Sequence, residues 1–280
     1  MISRRTGYLR IDDTPAPAEA ETLQREGHVL LRGVFAPQEV ADLAAAIDLV
    51  FDEWSADERS SGRPDDHWAP FRYEMLNRSE RCQQAVGHPG ILAIVEPLLG
   101  EDCHVIANTA WRQPPGDGTH GGQNWHIDAG PHIPRPDGVP WDERIPYPVF
   151  AVAAHLFLAD CPIEAGPTGV VPYSHTSGQP PPTDRDDDSL TWQGHAVVPI
   201  VAAAGDVALF VSDVWHRRLP SLPGDPGRFF LQCHYGRRDL AQRLRPTSEA
   251  NQLSPEAIGW ATTVRQQRLI GLHRPGFYDG

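Results

Sequence analysis

Positive charge is scarce in this 280-residue chain. Lysine and arginine together number 24 against 37 aspartates and glutamates, a formal net charge of −13. A nucleic-acid surface needs clustered cations to offset phosphates, and an anionic membrane surface attracts cations in the same way. Neither is therefore an expected partner; a small-molecule substrate is. Long apolar runs are missing too. The most hydrophobic stretches are interrupted by His155, Pro199, Gly205 and Asp206, and none approaches the roughly 20 residues of a spanning helix. No apolar segment follows Arg4 and Arg5, so no signal peptide is expected. Cysteine is sparse: Cys82, Cys103, Cys161 and Cys233 lie far apart without paired spacing. That makes a cysteine-pair zinc site and a disulfide framework poor readings, and points to ordinary buried or half-buried thiols of a cytoplasmic protein. There is no internal repeat and no linker. With 40% hydrophobic residues the chain can bury a sizeable core, and residues 1–280 read as one domain.

What is present falls into three stretches. A helical flank occupies about residues 1–100. After a polar lead, Gly27 to Val34 reads as a short strand, and Pro37 then suits a helix start. Val40, Leu43, Ala46, Ile47, Val50 and Phe51 recur at helical intervals to about Trp54. The charged, Gly/Pro/Ser-rich segment from Ser55 to Pro70 reads as a surface loop or lid. A second helix is expected over Pro89 to Leu99, stopped by Gly100. From about 101 to 240 the pattern changes to short strands: Val105 to Trp111, Val149 to Leu158, Gly169 to Pro172, His195 to Val201, Val207 to Val211 and Phe229 to Tyr235. Gly, Pro and Asp divide them, which fits a mainly β double-sheet roll or small barrel better than an alternating βα fold. Pro180 to Ser189 reads as an exposed loop. The extension from about 241 to 280 is polar and partly helical, and its last piece, with His273, Arg274, Phe277 and Tyr278, is a candidate to fold back near a site mouth.

The chemistry concentrates around Asn124-Trp125-His126-Ile127-Asp128. On extended chain, residues two apart point the same way, so His126 and Asp128 reach one point while Trp125 and Ile127 pack on the other side. His216 follows the apolar strand Val207 to Val211 and could close the set. Two imidazoles and one carboxylate suit iron(II) and leave positions for a bidentate co-substrate and oxygen, whereas zinc more often closes a tetrahedron. A lone His-X-Asp is common by chance among 13 histidines; the weight lies in the order of elements. Arg228 opens an otherwise apolar, alternating strand. Such a guanidinium either meets an anion, for which its planar fork suits a carboxylate, or carries its head out to solvent at the strand end. Arg217 and Arg218 form a local positive pair beside the metal, which suits an anionic substrate or plain surface ion pairs. His132 is a candidate substrate contact or a loop histidine in water. Asn124 and Gln123 are polar candidates for holding the ligand histidines in one tautomer.

These pieces, together with Gly27-His28-Val29-Leu30-Leu31, the segment Gly166 to His175 (GPTGVVPYSH) and Gly205-Asp206, resemble the phytanoyl-CoA dioxygenase family over most of the chain. The resemblance implies a double-stranded β-helix, a cupin-like jelly roll, with flanking N-terminal helices. It implies iron(II), 2-oxoglutarate and dioxygen, with His126, Asp128 and His216 as metal-binding and catalytic residues and Arg228 as the co-substrate anchor. In related enzymes the strand matching Asn108 to Gln113 contacts co-substrate or substrate. Trp111 and Gln113 are therefore candidate cofactor-binding residues; a core tryptophan and a solvent-facing strand end are the alternatives. Two departures stand out. Arg218 occupies a place where the family often has Ser or Thr to help hold the co-substrate, so Arg218 itself is a candidate for co-substrate or for another anion. Ala165 stands where an Asn is frequent. Asp128 argues against halogenation, since halogenating relatives replace that carboxylate with a small residue. The expected reaction is hydroxylation of an unactivated C–H bond in a small metabolite, lipid-like or natural-product substrate. Desaturation, ring closure or epimerisation with the same cofactors is the alternative, and a catalytically silent metal-binding jelly roll is another.

Overall fold

The computed structural model describes residues 4–6, 10–12, 15–53, 70–128, 130–139, 141–182, 189–242 and 253–273. Nearly all of the expected lid, most of the loop from Pro180 to Ser189, and Arg274, Phe277 and Tyr278 lie outside these residues. A small N-terminal hairpin, β1 (Arg4–Thr6) and β2 (Arg10–Asp12), precedes helix α1 (Ala18–Glu26). The polar lead thus contains a helix that its composition hides, because only Ala20 and Leu23 of α1 face the core. Gly27 ends it with φ +84°, and a side chain there would meet the His175 ring 2.6 Å away. Both the backbone angle and the close approach require glycine. Then come β3 (His28–Leu31), α2 (Pro37–Glu53), β4 (Phe71–Tyr73), α3 (Met75–Arg78), α4 (Glu80–Val86) and α5 (Pro89–Leu99).

The strands β5 (His104–Gln113), β6 (Ala151–Phe157), β7 (Thr168–Val170), β8 (Thr191–Trp192), β9 (His195–Ala196), β10 (Val198–Pro199), β11 (Val207–Val211), β12 (His216–Arg218) and β13 (Arg228–Gly236) follow. The expected strand from His195 to Val201 is thus two short pieces: β9 pairs back on β8, and β10 joins a different sheet. Helices α6 (Pro255–Trp260) and α7 (Val264–Leu269) close the chain. Six antiparallel strands form the large sheet in the order β3-β11-β6-β13-β5-β4, and three form the small sheet, β10-β7-β12.

Strand alternation sorts the large sheet into two faces. Val152, Ala154 and Leu156 of β6, with Val207, Leu209 and Val211 of β11 and Leu231, Cys233 and Tyr235 of β13, share one core with Leu43, Ile47, Ile91, Ile94 and Val95 of the helices. On the other face Ala153, Phe157, Ala208, Phe210 and Phe230 meet Val170 and Ile200 of the small-sheet side. Two antiparallel sheets closed over that second core make a double-stranded β-helix, with helices packed on the outer face of the large sheet. All four cysteines are buried and free, as expected. The same parity that buries Phe230 turns Arg228, Gln232 and His234 inward, where burying polar groups is costly without partners. That inner cup is where the site lies.

Candidate active site

The segment carrying His126 and Asp128 is not a strand of its own, as the two-residue spacing suggested. It is pinned by one antiparallel bridge, in which His126 and His216 exchange backbone hydrogen bonds of 3.0 Å in both directions. Gln123 N donates to Arg218 O at 3.0 Å and Asp128 N to Ser212 O at 3.1 Å, so the segment runs along β12 like an extra edge. The geometric consequence expected from extended chain still holds. Trp125 and Ile127 pack with Val171, Leu190 and Trp215 on one side, while His126 and Asp128 face the other. Just before β12, the Trp215 amide donates to Ser174 Oγ at 2.8 Å, which anchors the residue next to His216. Asp206 is structural: it accepts from Arg32, Gly33 N and Ala203 N at 2.7–2.9 Å and fastens the start of β11 to the end of β3.

One ligand atom each from His126, Asp128 and His216 lie within 4.8 Å of one another, an arrangement that can hold a metal ion. Asp128 Oδ1 is 3.3 Å from His216 Nε2 and 4.0 Å from His126 Nε2. The Nδ1 atoms lie 2.8 Å from the Asn124 carbonyl and 2.9 Å from the Val214 carbonyl. A carbonyl only accepts, so each Nδ1 carries the proton and each Nε2 offers its lone pair inward. The tautomers are thus set by backbone carbonyls and not by the side chains of Asn124 or Gln123. Burial opposes ionisation of Asp128, yet the imidazoles of His216, His234 and His126 outweigh it and hold the carboxyl well below its usual range. Burial and His216 lower His126, and burial lowers His234; His216 is raised, because Asp128 beside it prevails over burial.

Arg228 does not reach solvent; it is 5% exposed. Its Nη2 lies 3.4 Å from Thr168 Oγ1, its guanidinium rests 4.9 Å from the Phe230 ring centre, and its Nε has no hydrogen-bond partner. Among the described residues it makes no ion pair. Arg218 is buried as well, bonded to the Gln113 Oε1 and to the Ala165 carbonyl at 3.3 Å, with Asp225 at 4.0 Å. Burial and the neighbouring Arg228 lower its pKa to about 10. Burial lowers the pKa of Arg228 as well, and two guanidinium groups buried side by side in this way suit an anion. The expected Arg217–Arg218 pair is split, because adjacent strand residues face opposite ways. Arg217 lies over the Trp125 ring at 5.1 Å, on the far side from Gln113.

Gln113 stands directly opposite Arg228, and Trp111 opposite Phe230, so both candidates belong to the inner face. Trp111 is half-buried, stacks on Phe230 at 5.4 Å, and donates its indole N–H to Gln232 Oε1 at 2.9 Å. His132 is largely buried rather than a loop histidine in water. Its Nδ1 meets the buried Asp213 at 2.7 Å, which also accepts from Tyr147, and its ring stacks on Phe150. Sequence reasoning missed His155 and His234. His155 lies beside Arg228 and Thr168, and burial followed by Arg228 pushes its pKa well down. His234 Nδ1 is 3.6 Å from Asp128 Oδ2. Counting by twos from Arg228 along β13 finds it.

A jelly roll with two histidines and a carboxylate at one end of its cup, and an unpaired buried arginine within it, defines a mononuclear iron(II), 2-oxoglutarate type of enzyme. The comparisons agree. The model of the family "Phytanoyl-CoA dioxygenase (PhyH)" matches residues 23–220, and the chain belongs to that family. Its cofactors are iron(II) and 2-oxoglutarate, with dioxygen as co-substrate. No curated protein matches. Among solved structures, the fold is similar to the epimerase SnoN in complex with Fe3+, alpha ketoglutarate and nogalamycin RO. The identity is 22% and the TM-score 0.60, over 85% of this chain and 92% of that one. It is similar also to EctD from S. alaskensis, at 21% identity and TM-score 0.62 over 90% and 86%. The third is SnoK, an alpha ketoglutarate dependent carbocyclase from nogalamycin biosynthesis, at 18% and 0.59 over 88% and 96%. At such identities the likeness is one of fold. No helix among the described residues is long and apolar enough to cross a membrane.

Proposed function

We propose that this chain removes hydrogen from one C–H bond of a small organic molecule, with iron(II) held by His126, Asp128 and His216 and 2-oxoglutarate anchored by Arg228. The observation that carries the reading is the convergence of three ligand atoms within 4.8 Å beside a cup whose buried Arg228 lacks an ion pair. When bound, iron and the keto acid turn dioxygen into an oxidant able to attack carbon. The chain's own residues do the positioning. His126 and His216 present Nε2 because backbone carbonyls hold their Nδ1 protons. Asp128 supplies the negative charge that partly neutralises the metal. Arg228 takes the far carboxylate of the co-substrate, and Phe157, Phe210 and Phe230 give the cup apolar walls that exclude water.

Epimerisation or ring closure is the favoured outcome, with hydroxylation second; an epimerase and a carbocyclase of this fold support that order. The outcomes differ in mass. Epimerisation leaves it unchanged, ring closure removes two hydrogens, and hydroxylation adds one oxygen. Epimerisation also needs an added reductant, because the substrate returns to its starting oxidation level while dioxygen is consumed. The test is a small-metabolite screen for binding with iron(II) and 2-oxoglutarate under anaerobic conditions, followed by oxygen and mass spectrometry. Succinate release with a product of equal mass, or lighter by two hydrogens, supports the reading. A product heavier by one oxygen returns the outcome to hydroxylation. Tight iron binding with no succinate from any substrate makes the protein a silent binder. Excess chloride is expected to give no chlorinated product, since Asp128 occupies the position a halide ligand would need. Chlorinated product from the unaltered protein contradicts this.

A further inference from the structure

The inner face of β13 carries a chain of polar contacts that ends on the carboxylate of the triad. It begins at Trp111, whose indole N–H can only donate. That proton goes to Gln232 Oε1 at 2.9 Å, which fixes the orientation of the Gln232 amide. The Gln232 amide nitrogen is therefore the end that faces His234, 2.9 Å from its Nε2. An amide nitrogen donates, so His234 Nε2 is the acceptor and, in the neutral ring, the proton sits on Nδ1. That Nδ1 lies 3.6 Å from Asp128 Oδ2, a charge–dipole contact longer than a hydrogen bond. The two oxygens of Asp128 are thus sorted. Oδ1 faces the Nε2 atoms of His216 and His126, while Oδ2 faces His234.

We infer that His234 is a positioning residue for Asp128: its Nδ1–H, oriented by Trp111 through Gln232, restrains Oδ2 and leaves Oδ1 for the metal. The inference rests on the proposed reading of His126, Asp128 and His216 as iron ligands. A carboxylate that gives the metal one oxygen leaves room for both donor atoms of the keto acid and for dioxygen. A carboxylate free to swing both oxygens onto the metal takes one of those positions. His234 is not itself a ligand, since the nitrogen nearest the site bears the proton and the other is engaged by Gln232. The fold makes space for it. Its neighbours across the sheet are Ala107 and Ala153, and the register of β13 against β5 shifts immediately after it. Bulges of this kind re-aim side chains beside functional sites.

The test is anaerobic titration of the full chain with cobalt(II) alone, followed by its visible ligand-field absorption. His234→Ala is expected to weaken cobalt binding about 10- to 100-fold, as loss of an outer partner of a ligand commonly does. It should also shift the absorption, because the coordination of Asp128 changes. The discriminating pair is His234→Asn and His234→Gln. An asparagine amide N–H sits near the place of Nδ1, whereas that of glutamine sits near Nε2. Asn should recover most of the affinity and the parent spectrum, and Gln should recover little. A role in packing alone predicts no such order. Should the alanine variant fail to fold, the Asn and Gln pair decides. Parent-like binding in His234→Ala, or rescue by Gln as good as by Asn, overturns the inference while the metal reading stands. A parent chain that binds no cobalt overturns both.

Discussion

Arg228→Ala is expected to raise the dissociation constant for 2-oxoglutarate by roughly 30-fold to several thousand-fold while iron(II) binding stays nearly intact. The range follows from the about 2–5 kcal/mol lost when one partner of a buried, hydrogen-bonded charge pair is removed. The structure gives two reasons to place the effect here. Arg228 is buried at the foot of β13 against Thr168, Cys161 and the Phe230 ring, with an unpartnered Nε and no ion pair among the described residues. Its inner-face neighbours on the same strand, Phe230 and Gln232, lead directly toward Asp128 by way of His234. Arg228→Lys should recover only part of the loss, because an ammonium cannot reproduce the planar fork. Arg218 is the internal control. It already has Gln113, the Ala165 carbonyl and Asp225 around it, so Arg218→Ala should act on substrate and leave the co-substrate constant little changed. Anaerobic titration of both variants in the presence of iron(II) separates the cases. An unchanged constant in Arg228→Ala, or a large loss in Arg218→Ala alone, moves the anchor to Arg218.

Much of this site was legible in the sequence because strand chemistry has a short period. His126 and Asp128 could be placed together from their spacing, and Arg228 stood out because a guanidinium in an apolar strand needs a reason. The jelly roll was legible in the run of short strands divided by Gly, Pro and Asp. What stayed hidden depended on pairing across the chain. The bridge that holds His126 against His216 joins residues far apart in sequence, and no local pattern announces it. Arg217 and Arg218 looked like one positive patch until the strand turned them to opposite faces. His234 was within reach of the same counting rule that exposed Arg228, but its meaning required knowing that Asp128 lies across from β13. Helix α1 was invisible for another reason: two buried residues among polar ones give no clear period.

The largest expected effect belongs to Asp128. Among the three proposed ligands it alone carries a charge, and it is surrounded by His126, His216 and His234. Asp128→Ala removes the anionic donor and leaves two neutral imidazoles, which should weaken the hold on a divalent ion when no halide is present to take the vacated place. The same change removes the group that raises His216, so the imidazole cluster should become easier to deprotonate rather than more tightly coupled. The direct measurement is an anaerobic titration of the parent chain and of Asp128→Ala with iron(II) in excess 2-oxoglutarate, following the weak visible charge-transfer band of the chelated keto acid. The band should saturate at one iron per chain in the parent and should not develop in Asp128→Ala. An Asp128→Ala protein that chelates and turns over as the parent does would contradict this.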